Sequence, residues 1–437
     1  MGDSQTVAVD QRIALIDCNN FYVSCERVFN PAIKRKPIIV LSNNDGCVIA
    51  RSQEVKNLGI KMGVPWFKVK NLARRHKIIT FSSNYTLYAD MSNRVMKVIS
   101  KFSPNQEVYS IDECFLDLTG FKHFGLADYG QRIRSTINRL VGLPVCVGVG
   151  SSKTLAKLAN HLAKKRSDLN GVCDLNAIEQ DVLDFLFSRI KVRDVWGVGR
   201  RIEKRLGKLG VNTVLDLKRS SPQKFRKNFS ILMERTVREL NGESCIPLEE
   251  ITLPKKRLVY SRGFGVPVFS LNELNEAVTA YTTRVAEKLR YQRSVAAMIY
   301  VFIQTNHFKK TDRQHNSGRL VSLTKPTNDT RELIRAALGG LKNIYKPGFA
   351  YKKAGVLLDG LLPFNQHQKN LFDDVRSQEH SESLMQAMDG INSKMGSGTI
   401  KFIGEGLQKR WSAKSEKKTQ CYTTSIDEIP VAYCISN

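Results

Sequence analysis

The nine cysteines form no Cys-x-x-Cys pair, and the seven histidines form no HExxH or HxH arrangement. These absences exclude the usual zinc frameworks and leave the cysteines as buried free thiols. Nor is there an apolar run near the ~20 residues of a membrane span. The polar start from Met1 to Arg12 lacks the n-region and h-region of a secretory signal, so a cytoplasmic protein without membrane contact is expected. Acids are scarce as well: 41 Asp and Glu face 68 Lys and Arg, a formal net charge of +27. That balance implies a polyanionic partner or an anionic membrane surface, and nucleic acid is the commoner partner. With soft ligands missing, any metal is expected on oxygen donors, which points to magnesium.

With 437 residues, 42% of them apolar, the chain is long enough for several domains with real cores. Residues 12–171 alternate apolar runs (13–16, 37–41, 78–81, 107–111, 144–149) with helical stretches, an α/β or α+β pattern. Leu155, Leu158, Ala159 and Leu162 recur at helical spacing and predict an amphipathic helix over 151–165 with lysines on its remaining face. From Asp181 the pattern turns wholly helical. There Gly197 and Gly199 precede a basic helix in the manner of a helix-hairpin-helix, where backbone N–H groups approach a DNA phosphate beside Arg200 and Arg201.

Residues 246–256 hold two prolines without periodicity and read as a linker. From 257 to 363 the order strand, helix, strand, strand, helix, strand is that of a split, ferredoxin-like βαββαβ unit. Within 251–363, 19 Lys or Arg stand against 7 Asp or Glu, more positive charge than solubility needs. This region is expected to grip a DNA backbone without reading sequence. After Pro363 the chain turns polar and reads as a partly disordered tail that folds on partners.

Chemistry concentrates in three acids. Asp17 ends the run Ile13 to Ile16, and Asp112 and Glu113 follow Glu107, Val108 and Tyr109. Adjacent acids on a strand point to opposite faces, so Asp112 and Glu113 serve one metal pair only if a bend, bulge or strand end reorients one of them. The stretch GVGSSKT (148–154) invites a phosphate-loop reading, but Ser152 stands where that motif needs glycine before Lys153.

The segments DCNNFYVSCE (17–26), LSNNDGCVIARSQEVKNLGIKMGVPWF (41–67), YSIDEC (109–114) and GVGSSKTLAKLANHLAK (148–164) resemble the Y-family translesion DNA polymerases. The nearest likeness is to their UmuC-type branch, the catalytic subunits of bacterial DNA polymerase V, and it covers nearly the whole chain in order. It implies an α+β, multidomain, right-hand polymerase. The parts would be a ferredoxin-like palm (1–20 and 83–171), small fingers (21–82), a helical thumb with the helix-hairpin-helix (172–250), a linker (251–256), a βαββαβ little finger (257–363) and a partner-binding tail (364–437).

The resemblance also implies roles. Asp17, Asp112 and Glu113 would be the catalytic acids, holding two Mg2+ ions with the Cys18 carbonyl as an extra ligand. Asn19 stands where many relatives carry a second Asp, and it is not expected to bind metal. Phe21, Tyr22, Ser52, Gln53, Lys56 and Lys164 would surround the incoming nucleotide, with Tyr22 as the steric gate against a ribose 2′-hydroxyl. Cys47, Ile49 and Gly63 would leave the templating-base pocket roomy. Gln368, Leu371 and Phe372 resemble a sliding-clamp docking peptide, although Lys369 replaces its frequent leucine. The implied activity is error-prone, two-metal synthesis across lesions in the SOS response, without proofreading. Primed DNA template and dNTP are the substrates, and a processed UmuD-like dimer, a recombinase filament and the clamp are the partners.

Two rivals from other classes remain. A non-catalytic DNA-binding scaffold of the damage response would keep the basic domains and lose the acids. A palm-fold nucleotidyl cyclase would keep the acids without needing a thumb, a little finger or a clamp peptide.

Overall fold

Every residue of the run Ile13 to Ile16 is buried because strand β1 (Ile13–Cys18) lies at the centre of a sheet covered on both faces. The computed structural model describes residues 11–249, 253–366 and 375–429. They group into two units, one within 1–41, 48–252 and 417–437 and the other within 42–47 and 253–416.

In the first unit, β1 leads to α1 (Phe21–Phe29), β2 (Ile38–Leu41), β3 (Val48–Arg51), α2 (Gln53–Asn57), α3 (Trp66–Arg75) and β4 (Ile79–Ser82). Next come α4 (Tyr85–Ile99), β5 (Gln106–Val108), β6 (Glu113–Asp117), α5 (Leu126–Val141), β7 (Val145–Gly150), α6 (Lys153–Lys165) and β8 (Val172–Asp174). One sheet has the order β5-β6-β1-β7-β8 and a smaller one the order β3-β2-β4. On one face of β1, Ala14 and Ile16 join Val95, Ile133 and Ile137 in the main core; on the other, Ile13 and Leu15 meet Phe115 and Ala156. The expected boundary after residue 171 is corrected here. The short apolar pair Val172 and Cys173 continues the large sheet, pairing in parallel with β7.

The glycines of GVGSSKT serve packing. A Cβ at Gly148 would lie 2.1 Å from the Asn160 nitrogen, and one at Gly150 would lie 2.6 Å from Leu155 Cβ. These glycines therefore let α6 lie directly on β7. Ser152 caps α6 by accepting from the Leu155 N–H at 3.2 Å. Residues 180–240 form five helices, α7 (Gln180–Arg189), α8 (Arg200–Gly207), α9 (Val214–Lys218), α10 (Pro222–Asn228) and α11 (Ile231–Leu240). Their core is continuous with the apolar face of α6. The fully buried Glu239 on α11 accepts from the Thr154 N–H and hydroxyl at 2.9 and 2.6 Å, placing a carboxylate at the positive end of α6.

The expected lysine face of α6 also needs correction. Lys153 is buried, paired with Glu107 and donating to the Pro247 carbonyl at 2.7 Å. The spacing of apolar residues alone did not expose this, because the partner Glu107 comes from β5.

In the second unit the order is β9 (Leu258–Val268), α12 (Leu271–Tyr291), β10 (Ser294–Thr305), β11 (Asn316–Thr327), α13 (Thr330–Ile344) and β12 (Tyr351–Pro363). The sheet runs β11-β10-β12-β9. Ile299, Val301, Ile303, Val356 and Leu358 pack with the helices. On the face away from them, Tyr300 and Phe302 stack 6.0 Å apart.

After Pro363, helix α14 (Val375–Met395) replaces part of the expected disordered tail. Arg290 binds Asp389 through two contacts of 2.6 and 2.8 Å, and Met385 is buried. Anchoring through polar groups, the bidentate ion pair and the Ser381 hydroxyl on Asp329, beside a buried methionine, leaves the helix sequence polar, which is why it reads as a tail. Trp411 is buried edge-on to Tyr281 at 5.6 Å. No helix among the described residues is long and apolar enough to cross a membrane.

Candidate active site

Asp17 and Glu113 are directly opposed across the antiparallel pair β1 and β6, so both project to one face of the sheet. Asp112 precedes β6 in the turn that follows β5. The strand end therefore relieves the conflict between adjacent acids. Ser110 organises that turn: its hydroxyl donates to Asp112 Oδ1 at 2.7 Å and accepts from the Glu113 N–H at 3.0 Å. The Cys18 N–H donates to the Asp112 carbonyl at 2.9 Å, fixing the end of β1 to the same turn. The Cys18 thiol is buried and pushed up by that burial, which leaves the carbonyl as its available donor. Asn19 donates to Cys146 Sγ at 3.3 Å.

Two lysines of α6 close on the acids. Lys164 Nζ lies 2.5 Å from Asp17 Oδ2, and Lys157 Nζ lies 2.8 Å from Glu113 Oε1. Burial pushes the Asp17 carboxyl up to about 6; Lys164 opposes the shift, while Glu113 and Asp112 add to it. Among the described residues no three His, Cys, Asp or Glu side chains form a group that could hold an ion as they stand. The donor set nonetheless suits a hard divalent cation: it is all oxygen, drawn from β1, β6 and the turn between β5 and β6. Here the ammonium groups of Lys157 and Lys164 neutralise two of the three acids.

Lys157 was missed in the sequence. Its signal is spacing, since Lys157 and Lys164 stand seven apart and so share one face of α6. Its ammonium also lies 4.6 Å from the centre of the Tyr109 ring and 5.4 Å from that of Trp196. Trp196 Nε1 donates to the Tyr109 hydroxyl at 3.2 Å, so the residues before α8 touch the turn that carries Asp112.

The residues expected around a nucleotide divide. Lys56 is exposed, and partial desolvation, then Arg51 and Lys164, hold its ammonium below the usual range. Lys56 and Lys164 thus share one field with Asp17. Gln53 is exposed and donates to Asn57 at 3.0 Å. Two of the expected residues are packed into the fold. Ser52 is fully buried; its hydroxyl accepts from the Ile38 N–H at 3.1 Å and caps α2, so it builds the small sheet. Phe21 lies in the main core. Tyr22 is half-buried and stacks on Tyr88, with ring centres 4.5 Å apart.

Ile49 is half-buried on β3. Gly63 has φ +77°, a conformation open to glycine, and nothing would meet a Cβ there. Cys47 is half-buried, its N–H donating to the Ser42 hydroxyl at 3.1 Å. Gly197 has φ +85°, and Gly199 precedes α8 in extended backbone with no side chain capping the helix. Arg200 and Arg201 are exposed beside it. Gln368, Leu371 and Phe372 lie outside the described residues.

The paired sheet, the acids at its strand ends and the βαββαβ unit define the architecture of a Y-family DNA polymerase. A solved Y-family DNA polymerase chimera shares this fold at 20% identity and a TM-score of 0.64, over 80% of this chain and 99% of that one. The chain matches the impB/mucB/samB family over residues 16–161, that family's C-terminal domain over 255–371 and a domain of unknown function, DUF4113, over 382–432. It is 46% identical to protein SamB of Salmonella typhimurium over 420 residues, 96% of this chain and 99% of the relative. It is also 46% identical to protein UmuC of Salmonella typhimurium (strain LT2) over 418 residues, 95% and 99% respectively. The chain belongs to the impB/mucB/samB family and is a UmuC-type Y-family polymerase.

Proposed function

We propose that the chain is an error-prone, DNA-templated DNA polymerase that carries synthesis past lesions in the SOS response. The observation that carries this reading is the opposition of Asp17 and Glu113 at one strand end, with Asp112 on the adjoining turn and Lys56 and Lys164 alongside. Divalent metal dependence belongs to the family; the finer assignment is two Mg2+ ions held by Asp17, Asp112, Glu113 and the Cys18 carbonyl. Held there, such a pair would supply acidification of a primer 3′-hydroxyl and charge neutralisation for a triphosphate. The chain's own residues do the rest. Ser110 fixes the carboxylate of Asp112, Lys56, Lys164 and Gln53 receive the triphosphate, and Tyr22 stands as the steric gate.

Residues 1–20 and 83–174 serve as palm, so that strand β8 stays with its sheet, 175–250 as thumb, 21–82 as fingers and 257–363 as little finger. Cys47, Ile49 and Gly63 bound the templating-base pocket. Gly197, Gly199, Arg200 and Arg201 hold a DNA phosphate. A processed UmuD-like dimer, a recombinase filament and, through Gln368, Leu371 and Phe372, the sliding clamp are the partners of a cytoplasmic enzyme.

Primer extension tests this reading. Purified protein, alone and with activated partner proteins, is given intact and abasic templates with magnesium. Extension past the abasic site is expected, and absence of extension under every partner condition would favour a DNA-binding scaffold. Binding to primed DNA should also weaken steeply with salt, log K falling by about 0.9 per phosphate neutralised for each unit of log salt. A salt-independent affinity would refute the backbone-gripping role of the basic second unit.

A further inference from the structure

The segment from Lys417 to Glu428, within the match to a domain of unknown function, docks on the first unit behind Tyr22. Tyr88 stacks on Tyr22 at an interplanar angle of 18° and donates its hydroxyl to Glu26 Oε1 at 2.6 Å. Glu26 is 2% exposed on α1, and the second donor to that oxygen is the Thr419 hydroxyl at 3.2 Å. Asn84, fully buried, caps α4 by accepting from the Leu87 N–H at 3.3 Å. Its amide donates to the Thr419 and Gln420 carbonyls at 3.0 and 3.1 Å. Lys417 and Ser82 exchange two hydrogen bonds, Ser82 N–H to the Lys417 carbonyl at 3.0 Å and Lys417 N–H to the Ser82 hydroxyl at 2.9 Å. Tyr422 stacks on Phe29 of α1 at 4.8 Å. The segment thus supplies the partners of buried polar groups on both helices that carry the tyrosines, α1 and α4.

We infer that this C-terminal segment is a positioning device for the sugar-discriminating tyrosine: Thr419 holds Glu26, Glu26 holds Tyr88, and Tyr88 fixes the ring of Tyr22. The inference rests on the reading of Tyr22 as the steric gate. Without Thr419, Glu26 loses one of two donors, and the Tyr88 ring is no longer held by a doubly bonded carboxyl. Tyr22 then yields to a ribose 2′-hydroxyl with little change in the metal-binding acids.

The test is single-nucleotide insertion by the full chain with the partner proteins that support its extension, measuring kcat/KM for dNTP over rNTP. Thr419→Val and Tyr88→Phe, the second removing only a hydroxyl, are each expected to lower that ratio about tenfold. The change should lie in rNTP use, with kcat for dNTP kept within about threefold. Thr419→Ser, which keeps the hydroxyl, is expected to restore the wild-type ratio. A wild-type ratio in a folded Thr419→Val or Tyr88→Phe protein, beside a collapsed ratio in Tyr22→Ala, overturns the inference. A wild-type ratio in Tyr22→Ala overturns the gate reading beneath it.

Discussion

Asp112→Ala is expected to slow nucleotide addition by at least about a hundredfold, the scale of losing one preorganised electrostatic contact to a reacting group. Asp112 is the most informative of the three acids to remove. Asp17 and Glu113 are each paired with a lysine of α6, so their loss also leaves an ammonium without its carboxylate. Asp112 accepts from the Ser110 hydroxyl in a half-buried turn, and that hydroxyl still accepts from the Glu113 N–H when the carboxylate is gone. The fold should therefore survive while the chemistry fails. Single-turnover primer extension, with DNA binding and thermal unfolding followed in parallel, separates the two effects. Near wild-type rates with Asp112→Ala would remove this carboxylate from the mechanism. A matching loss of DNA binding would show the defect to be structural.

What the sequence disclosed follows the range of its patterns. β1 and the six elements between Leu258 and Pro363 were legible because each is a run of apolar residues at a single period. The paired acids were legible too, since adjacent carboxylates demand a strand end, and the turn from Tyr109 to Asp112 supplies it. What failed to show were interactions whose two halves lie far apart in the chain. Lys153 reads as a surface lysine until Glu107 arrives from β5, and Glu239 reads as a solvated acid until it reaches the start of α6. Ser52 is expected near a nucleotide because its motif is, and nothing in that motif discloses that its hydroxyl caps α2. The polar stretch after Pro363 concealed order for the same reason. Thr419, Gln420 and Tyr422 carry no periodicity of their own, and their partners Glu26, Phe29 and Asn84 lie more than three hundred residues earlier.

Glu26→Gln is expected to flatten the pH dependence of stability between about pH 4.5 and 7. Burial pushes the Glu26 carboxyl from 4.5 up to about 7, against the hydrogen bonds of Tyr88 and Thr419, and no cation contributes to the shift. The native state therefore holds this proton more tightly than the unfolded chain does. Below about pH 4.5 the group is protonated in both states and its charge costs nothing. As pH rises from 4.5 toward 7, the unfolded chain releases the proton first, and the native state loses about 3 kcal/mol relative to it. Above about pH 7 the loss is complete, and a charged carboxylate sits buried behind Tyr88. An amide at this position has no proton to release, so the difference in unfolding free energy between the two proteins isolates this group from the remaining acids. Denaturant unfolding of both proteins at pH 5 and pH 8 reads that difference. The variant should gain on the wild type at the higher pH, because it buries an amide where the wild type buries a charge. Parallel pH profiles would show that Glu26 titrates at its ordinary value, and that Thr419 docks on a carboxylate already charged at pH 5.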